Sequence, residues 1–254
     1  MRRFRYDYAL TLRFSAPISR HSFLLRFWPG GDDTQQLWGR ELSSAPESTL
    51  PLTADAFRNA CACGHIEAEH QQLILRAQGE ALIRGGRLSA ADCPAYCKLT
   101  TPLTHAGGAL LSLVRGLPAD PLDCALEASR RIRERVEYRR GITNECTGAA
   151  EALQLGAGVC QDFAHMLLAI LRVRNIPARY VAGLIPGEGE THAWVELYDG
   201  AAFIGFDPTQ LRPTDDGYLR VNVGRDSRDC AINRGMFTGI AQQTMEVCAR
   251  MVEI

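Results

Sequence analysis

The chain has 254 residues, 46% of them hydrophobic, and its 28 Lys+Arg against 29 Asp+Glu leave a formal net charge of −1. That length suits one large domain or two modest ones with a sizeable core. The balanced charge offers no electrostatic case for nucleic acid or an anionic membrane surface as partner, and no run approaches the roughly 18 apolar residues of a membrane-spanning helix.

The N-terminal stretch MRRFRYDYALTLRFSAP is basic but alternates instead of running into a continuous apolar segment. No signal peptide is read there, and a soluble, cytoplasmic protein is expected. Nine cysteines are present: Cys61, Cys63, Cys93, Cys97, Cys124, Cys146, Cys160, Cys230 and Cys248. An odd number without a secretory signal favours reduced, mostly buried thiols over a disulfide framework. Apolar and polar positions partly alternate in 5–14, and 22–28 is rich in Leu, Phe and Trp; 60–67 and 72–83 read as further strands. Turn-prone clusters at 29–33, 43–48 and 85–86 separate them. The expectation is a β-sandwich-like N-terminal domain over residues 1–87 and a second domain over 88–254.

Past residue 88 a loop leads into a short helix near 109–114. Asp120 as N-cap and Pro121 at the first position start a helix that runs to about Val136. Thr147 or Thr143 could cap a short helix over 148–155, which Gly156 and Gly158 break. In the helix after Cys160, the residues Val159, Phe163, Met166, Leu167, Ile170 and Leu171 form one apolar stripe, and Asn175 and Pro177 end it. Strands are expected at 178–184, 192–198 and 203–207, with more at 218–223 and 243–252. Cys61, Cys63 and His65 would share one face of a strand, and Cys93 and Cys97 bracket Pro94-Ala95-Tyr96. Neither spacing is a familiar zinc pattern, so buried thiols and no metal are expected.

The segment HAWVELYDGAAFIGFDPT, 192–209, holds the strongest signal, because Asp199-Gly200 between two apolar-patterned runs marks a hairpin. A two-residue turn pairs Tyr198 with Ala201 and puts His192 directly across from Asp207, within reach of an imidazole–carboxylate hydrogen bond. A four-residue turn makes that pair diagonal on the same face, whereas an odd shift puts the two on opposite faces. A histidine oriented by a carboxylate calls for a nucleophile, and Cys160 stands at a glycine-preceded helix start, where unpaired N–H groups and the helix dipole favour a thiolate. Such a set suits attack on a carbonyl carbon, with backbone N–H groups of the helix start stabilising the oxyanion.

The stretches GVCQDFAHMLLAILRVRNIPARYVAGL, THAWVELY and GFDPTQ, in that order, resemble the transglutaminase-like superfamily, and most of all its bacterial branch with an N-terminal β domain. VNVGRDSRD at 221–229 and DAFRN at 55–59 are similar to that branch as well. The resemblance implies a papain-like, transglutaminase-like α+β core with a Cys160–His192–Asp207 triad. The resemblance does not choose among the reactions of the superfamily; because water is always present, the expectation is a transglutaminase-like cysteine peptidase or amidohydrolase that acts on peptide or carboxamide bonds of a peptide or protein substrate, a chemistry that requires no metal or organic cofactor. Amine transfer and a catalytically silent binding module are the alternatives, and the N-terminal domain could dock a protein partner. Gln161, Trp194 and Tyr138 are candidates for substrate binding, while His165, five residues past Cys160, points away from it and reads as structural.

Overall fold

The first strand sets the architecture. The computed structural model describes residues Met1–Ile254, and β1 (Arg2–Leu25) is one bent strand where two separate strands were expected. Phe4, Tyr6, Tyr8, Leu10 and Leu12 alternate with Arg5, Asp7, Ala9 and Thr11 and are all buried, as a strand with one covered face requires. The register breaks between Arg13 and Ile18, around Pro17, and Arg20 takes a φ of +47°. This corner lets β1 serve both halves of a folded-over sheet. β2 (Gln35–Ala45), β3 (Leu52–Ala54), β4 (Ala60–Ile66) and β5 (His70–Ile83) complete the N-terminal part. Before the corner β1 pairs with β5, which also carries β2; after it β1 pairs with β4, which carries β3. Side chains of both halves, such as Tyr8, Phe23, Leu25 and Leu75, meet in one core.

β6 (Arg87–Ser89) passes into the second part and pairs with its sheet. There follow α1 (Gly108–Val114), α2 (Pro121–Arg133), β7 (Glu137–Tyr138), α3 (Ala149–Leu155), β8 (Ala157–Gly158) and α4 (Cys160–Val173). Asp120 caps α2 as its sequence predicts, accepting from the N–H groups of Leu122 and Asp123 at 2.9 Å. α3 starts instead on Gly148 with no side-chain cap, because Thr147 turns back to accept from Asn144 N–H and Thr143 is used elsewhere. The sequence shows a stripe on α4, but every residue from Asp162 to Arg172 is buried. The other three helices cover it on one side and the sheet on the other, which is why His165 and Arg172 are hydrogen-bonded inside.

The sheet under α4 consists of β9 (Ala178–Leu184), β11 (His192–Tyr198), β12 (Ala202–Asp207), β13 (Arg212–Pro213) and β14 (Leu219–Gly224), in the order β13-β12-β11-β9-β14. β10 (Gly187–Gly189) lies between β9 and β11 in the chain but belongs to the other sheet. The C-terminal residues were expected to belong to the second domain. Their pairing corrects this: β15 (Asn233–Thr238) and β16 (Gln243–Glu253) run antiparallel to β1 and complete the N-terminal sheet. Residues from both parts share one core, since Leu184, Leu219 and Val221 pack among the N-terminal apolar side chains. Polar clasps close the same seam. Asn59 donates to Val223 C=O and accepts from Val223 N–H, both at 2.8 Å, while Asp55 holds the loop by accepting from the Phe57 and Asn59 N–H groups and from Arg26. Asp55 and Asn59 are the two ends of the DAFRN stretch, so that motif is a joint between the parts.

Candidate active site

The site begins with how α4 starts. Gly156, at φ +66°, ends α3, and β8 then pairs in parallel with β7, bringing Tyr138 beside Gly158. Val159 is the N-cap and Cys160 the first helical residue. Asp162 reaches back so that one carboxylate oxygen accepts from Val159 N–H and from the Thr143 hydroxyl, each at 2.7 Å. Burial pushes the Asp162 carboxyl above its usual range, against the pull of those donors. A Cβ on residue 158 would lie 2.7 Å from that same oxygen, so only glycine leaves room for it. Gly158, Cys160 and Asp162 therefore act as one local device that fixes the thiol at the helix start, half-buried and packed on the core.

The hairpin supplies the partners, in a register different from the direct one. Tyr198 pairs with Phe203 and Val195 with Phe206, so four residues, Asp199 to Ala202, connect the strands. The Asp199 carboxylate accepts from the Ala201 and Ala202 N–H groups and holds the turn. The shift is even, so His192 and Asp207 become diagonal neighbours on one face. His192 Nε2 still donates to Asp207 Oδ2 at 2.7 Å. Asp207 is fully buried and accepts three more bonds: from the Tyr218 hydroxyl at 2.9 Å and from the backbone N–H groups of Thr209 and Gln210 at 2.8 and 3.1 Å. Tyr218 had not been singled out from the sequence. Lying just ahead of β14, it reaches Asp207 only through the sheet order, and no local pattern marks it.

Charge follows from these contacts. Burial alone would raise the Asp207 carboxyl, but the bonds from His192, Tyr218 and the backbone outweigh it and hold it below the ordinary value. Burial alone would lower His192. The bond to Asp207 and the adjoining Cys160 thiol outweigh it, and the imidazole is pushed up to about 9. Nε2 is taken by Asp207, which leaves Nδ1 as the ring atom for the sulfur.

A cleft of about 240 Å³ opens over the thiol, with Tyr138, Arg140, Cys160, His192, the 184–191 segment and Ala249–Met251 of β16 in its walls. Of the three residues considered for substrate binding, Tyr138 lines the cleft, and its ring stacks on Phe163 with centroids 6.3 Å apart. Gln161 sits on the first turn of α4 outside the cleft walls. Trp194 is only 2% exposed; it packs edge-on to Tyr218 at 5.3 Å, and its ring occupies the space that a Cβ on Gly183 would need. It supports the face from beneath rather than walling the cleft. The Pro186–Glu190 segment is tied to β16 through β10, with Glu188 paired to Arg250 at 2.9 Å.

The other chemistry-bearing residues fall away from this site. His165 accepts from Ser227 N–H at 3.1 Å and is buried; that burial lowers it to about 4. Cys61 is buried, Cys63 is exposed, and His65 is engaged by Ser22 and Glu67. A wider depression of about 480 Å³ between Leu42 and Leu52 has Glu47 as its one titratable group.

Residues 111–208 match the transglutaminase-like superfamily core, and residues 4–81 match the bacterial transglutaminase-like N-terminal region. An uncharacterized protein of Mycobacterium leprae is 32% identical over 145 residues, which cover 53% of this chain and 52% of that protein. One of Mycobacterium bovis is 32% identical over 154 residues, 54% of this chain and 49% of that protein. The chain thus spans about half the length of the curated relatives it matches. The crystal structure of a "Putative Cysteine Protease from Cytophaga hutchinsonii" superimposes with a TM-score of 0.70 at 20% identity, covering 100% of this chain and 91% of that one. At that identity the likeness speaks for the fold. No helix is long and apolar enough to cross a membrane.

Proposed function

Since the chain belongs to the transglutaminase-like superfamily, with the bacterial N-terminal region ahead of its core, we propose that it is a cysteine-dependent acyl enzyme with Cys160 as nucleophile. The observation that carries this reading is the 2.7 Å bond from His192 to a buried, fully satisfied Asp207, beside the thiol at a helix start. His192 as imidazolium stabilises the Cys160 thiolate, and Asp207 holds the ring in place. The thiolate attacks a peptide or carboxamide carbonyl carbon, and the C=O electron pair moves onto oxygen. The Cys160 N–H at the helix start and the Tyr138 hydroxyl, which border the same cleft, are the donors offered to that oxyanion. The C–N bond breaks as His192 gives its proton to the leaving amine, and an acyl-thioester remains. Water, deprotonated by His192, then attacks the thioester, releasing a carboxylic acid and the thiolate.

Hydrolysis is preferred over transfer to a second amine because water reaches a half-exposed thiol, whereas transfer needs a site that holds an amine and keeps water out. Product analysis tests both halves of the proposal. The protein is incubated with a denatured protein substrate and a labelled primary amine, and the peptides are sequenced by mass spectrometry. New C-termini or deamidated glutamines, absent with Cys160→Ala, are the expected result. Label on glutamines would move the assignment to transfer. Products that persist in Cys160→Ala would overturn it.

A further inference from the structure

We propose that the substrate is an extended polypeptide that docks by adding a strand to the free edge of β10, which delivers its carbonyl to Cys160. This rests on the reading of Cys160 as nucleophile and specifies what the cleft holds. β10 is the last strand of the eight-stranded sheet. Gly187, Glu188 and Gly189 pair with Met251, Arg250 and Ala249 of β16 on one side, and no strand lies on the other. All three residues are exposed and line the same cleft as Cys160 and His192. A strand edge offers a row of unpaired N–H and C=O groups, and in a native fold such a row is normally covered, charged or used. Here the three residues of that edge line the cleft.

The Gly-Glu-Gly sequence suits that use. A Cβ on Gly187 or Gly189 would meet nothing within 4 Å, so no neighbouring group crowds the face of this short strand. The two glycines sit at φ +130° and +152°, a conformation that side-chain-bearing residues avoid, which keeps these positions bare. His192 opens β11 shortly after β10 ends, so a chain laid along β10 passes the imidazole. Main-chain pairing gives affinity for any extended peptide regardless of its side chains. A small isolated amide cannot use such an edge. The predicted substrate class is therefore an unfolded or loop segment of a protein, read mainly through its backbone. The strap to β16 also explains why the C-terminal strand of the N-terminal sheet forms a wall of the cleft: it holds the docking edge in place.

The test uses the full chain and three chloromethyl ketones, whose methylene carbon alkylates the thiolate with loss of chloride. These are acetyl-Ala, acetyl-Ala-Ala-Ala, and the tripeptide N-methylated on its internal amides, with iodoacetamide as a reagent that needs no edge. Modification of Cys160 is followed by mass spectrometry. The expected result is that the tripeptide reagent reacts about tenfold faster or more than the single-residue one, and that N-methylation removes the gain. Equal rates for all three, or a gain that survives N-methylation, would overturn strand addition while leaving the nucleophile intact if iodoacetamide still selects Cys160. If iodoacetamide does not select Cys160, the nucleophile reading fails, and strand addition with it.

Discussion

Asp207 keeps its charge in a fully buried position because four donors meet its two oxygens, and that charge sets the state of His192. The sign of the pH effect follows. His192 is near 6.5 when unfolded and about 9 when folded, so its contribution to stability is complete below pH 6.5 and is lost as the pH rises through about 9. The stability gap between the parent and His192→Ala, measured by denaturant unfolding, is expected to be widest near pH 6 and to narrow steadily towards pH 9.5. A gap independent of pH would mean that the imidazole is not held protonated. The His192–Asp207 pairing was legible in the sequence because residues of one hairpin share a face whenever the register shift is even. The register itself was not, since Asp199 moves the turn through side-chain bonds to Ala201 and Ala202 that composition does not reveal. Trp194 could be assigned to the right face but not to a depth, because its burial depends on Val181, Tyr218 and Val223 from other strands.

At the scale of elements, the start of α4 carries the chemistry. Gly158 is bare so that Asp162 can fold back onto Val159 N–H, and this places Cys160, half-buried, at the first position of a helix that is otherwise buried. Gly158→Ala forces a Cβ to within 2.7 Å of the Asp162 carboxylate. The substitution is expected to cost about 1–3 kcal/mol in stability and to slow alkylation of Cys160, as read by thermal unfolding and peptide mapping. Unchanged stability together with an unchanged rate would show that the turn has slack. The stripe on α4 was visible from 3.6-residue periodicity, but total burial was not, because coverage by α1, α2 and α3 is a property of the assembled layers. Likewise β1 reads as two strands from its sequence, because Pro17 and the polar residues around it look like a break. Pairing on both sides of the corner makes it one.

The whole molecule is held by exchange between its two parts. β16 returns to β1, β10 leaves the second part to pair with β16, and Asn59 clasps Val223. None of these long-range pairings has a local sequence signature. The tail between 243 and 252 reads correctly as a strand, but its partner lies more than two hundred residues earlier. Asn59→Ala leaves both backbone groups of Val223 buried without partners, and is expected to cost about 2–4 kcal/mol in denaturant unfolding. A change within about 0.5 kcal/mol, typical of a neutral surface site, would show that the clasp is redundant.

Site-resolved alkylation reads out the thiolate–imidazolium pair of Cys160 with His192. The native protein is treated briefly with limiting iodoacetamide from about pH 5 to pH 9, a range that brackets the unperturbed thiol, and all nine cysteines are mapped. Exposed Cys63, Cys146 and Cys248 serve as internal references. Cys160 is expected to label ahead of these three at the acid end although it is less exposed, and His192→Ala to remove the advantage. If Cys160 labels no faster than the exposed thiols at any pH, or if His192→Ala leaves its rate unchanged, the pair does not exist and the proposed catalysis is contradicted.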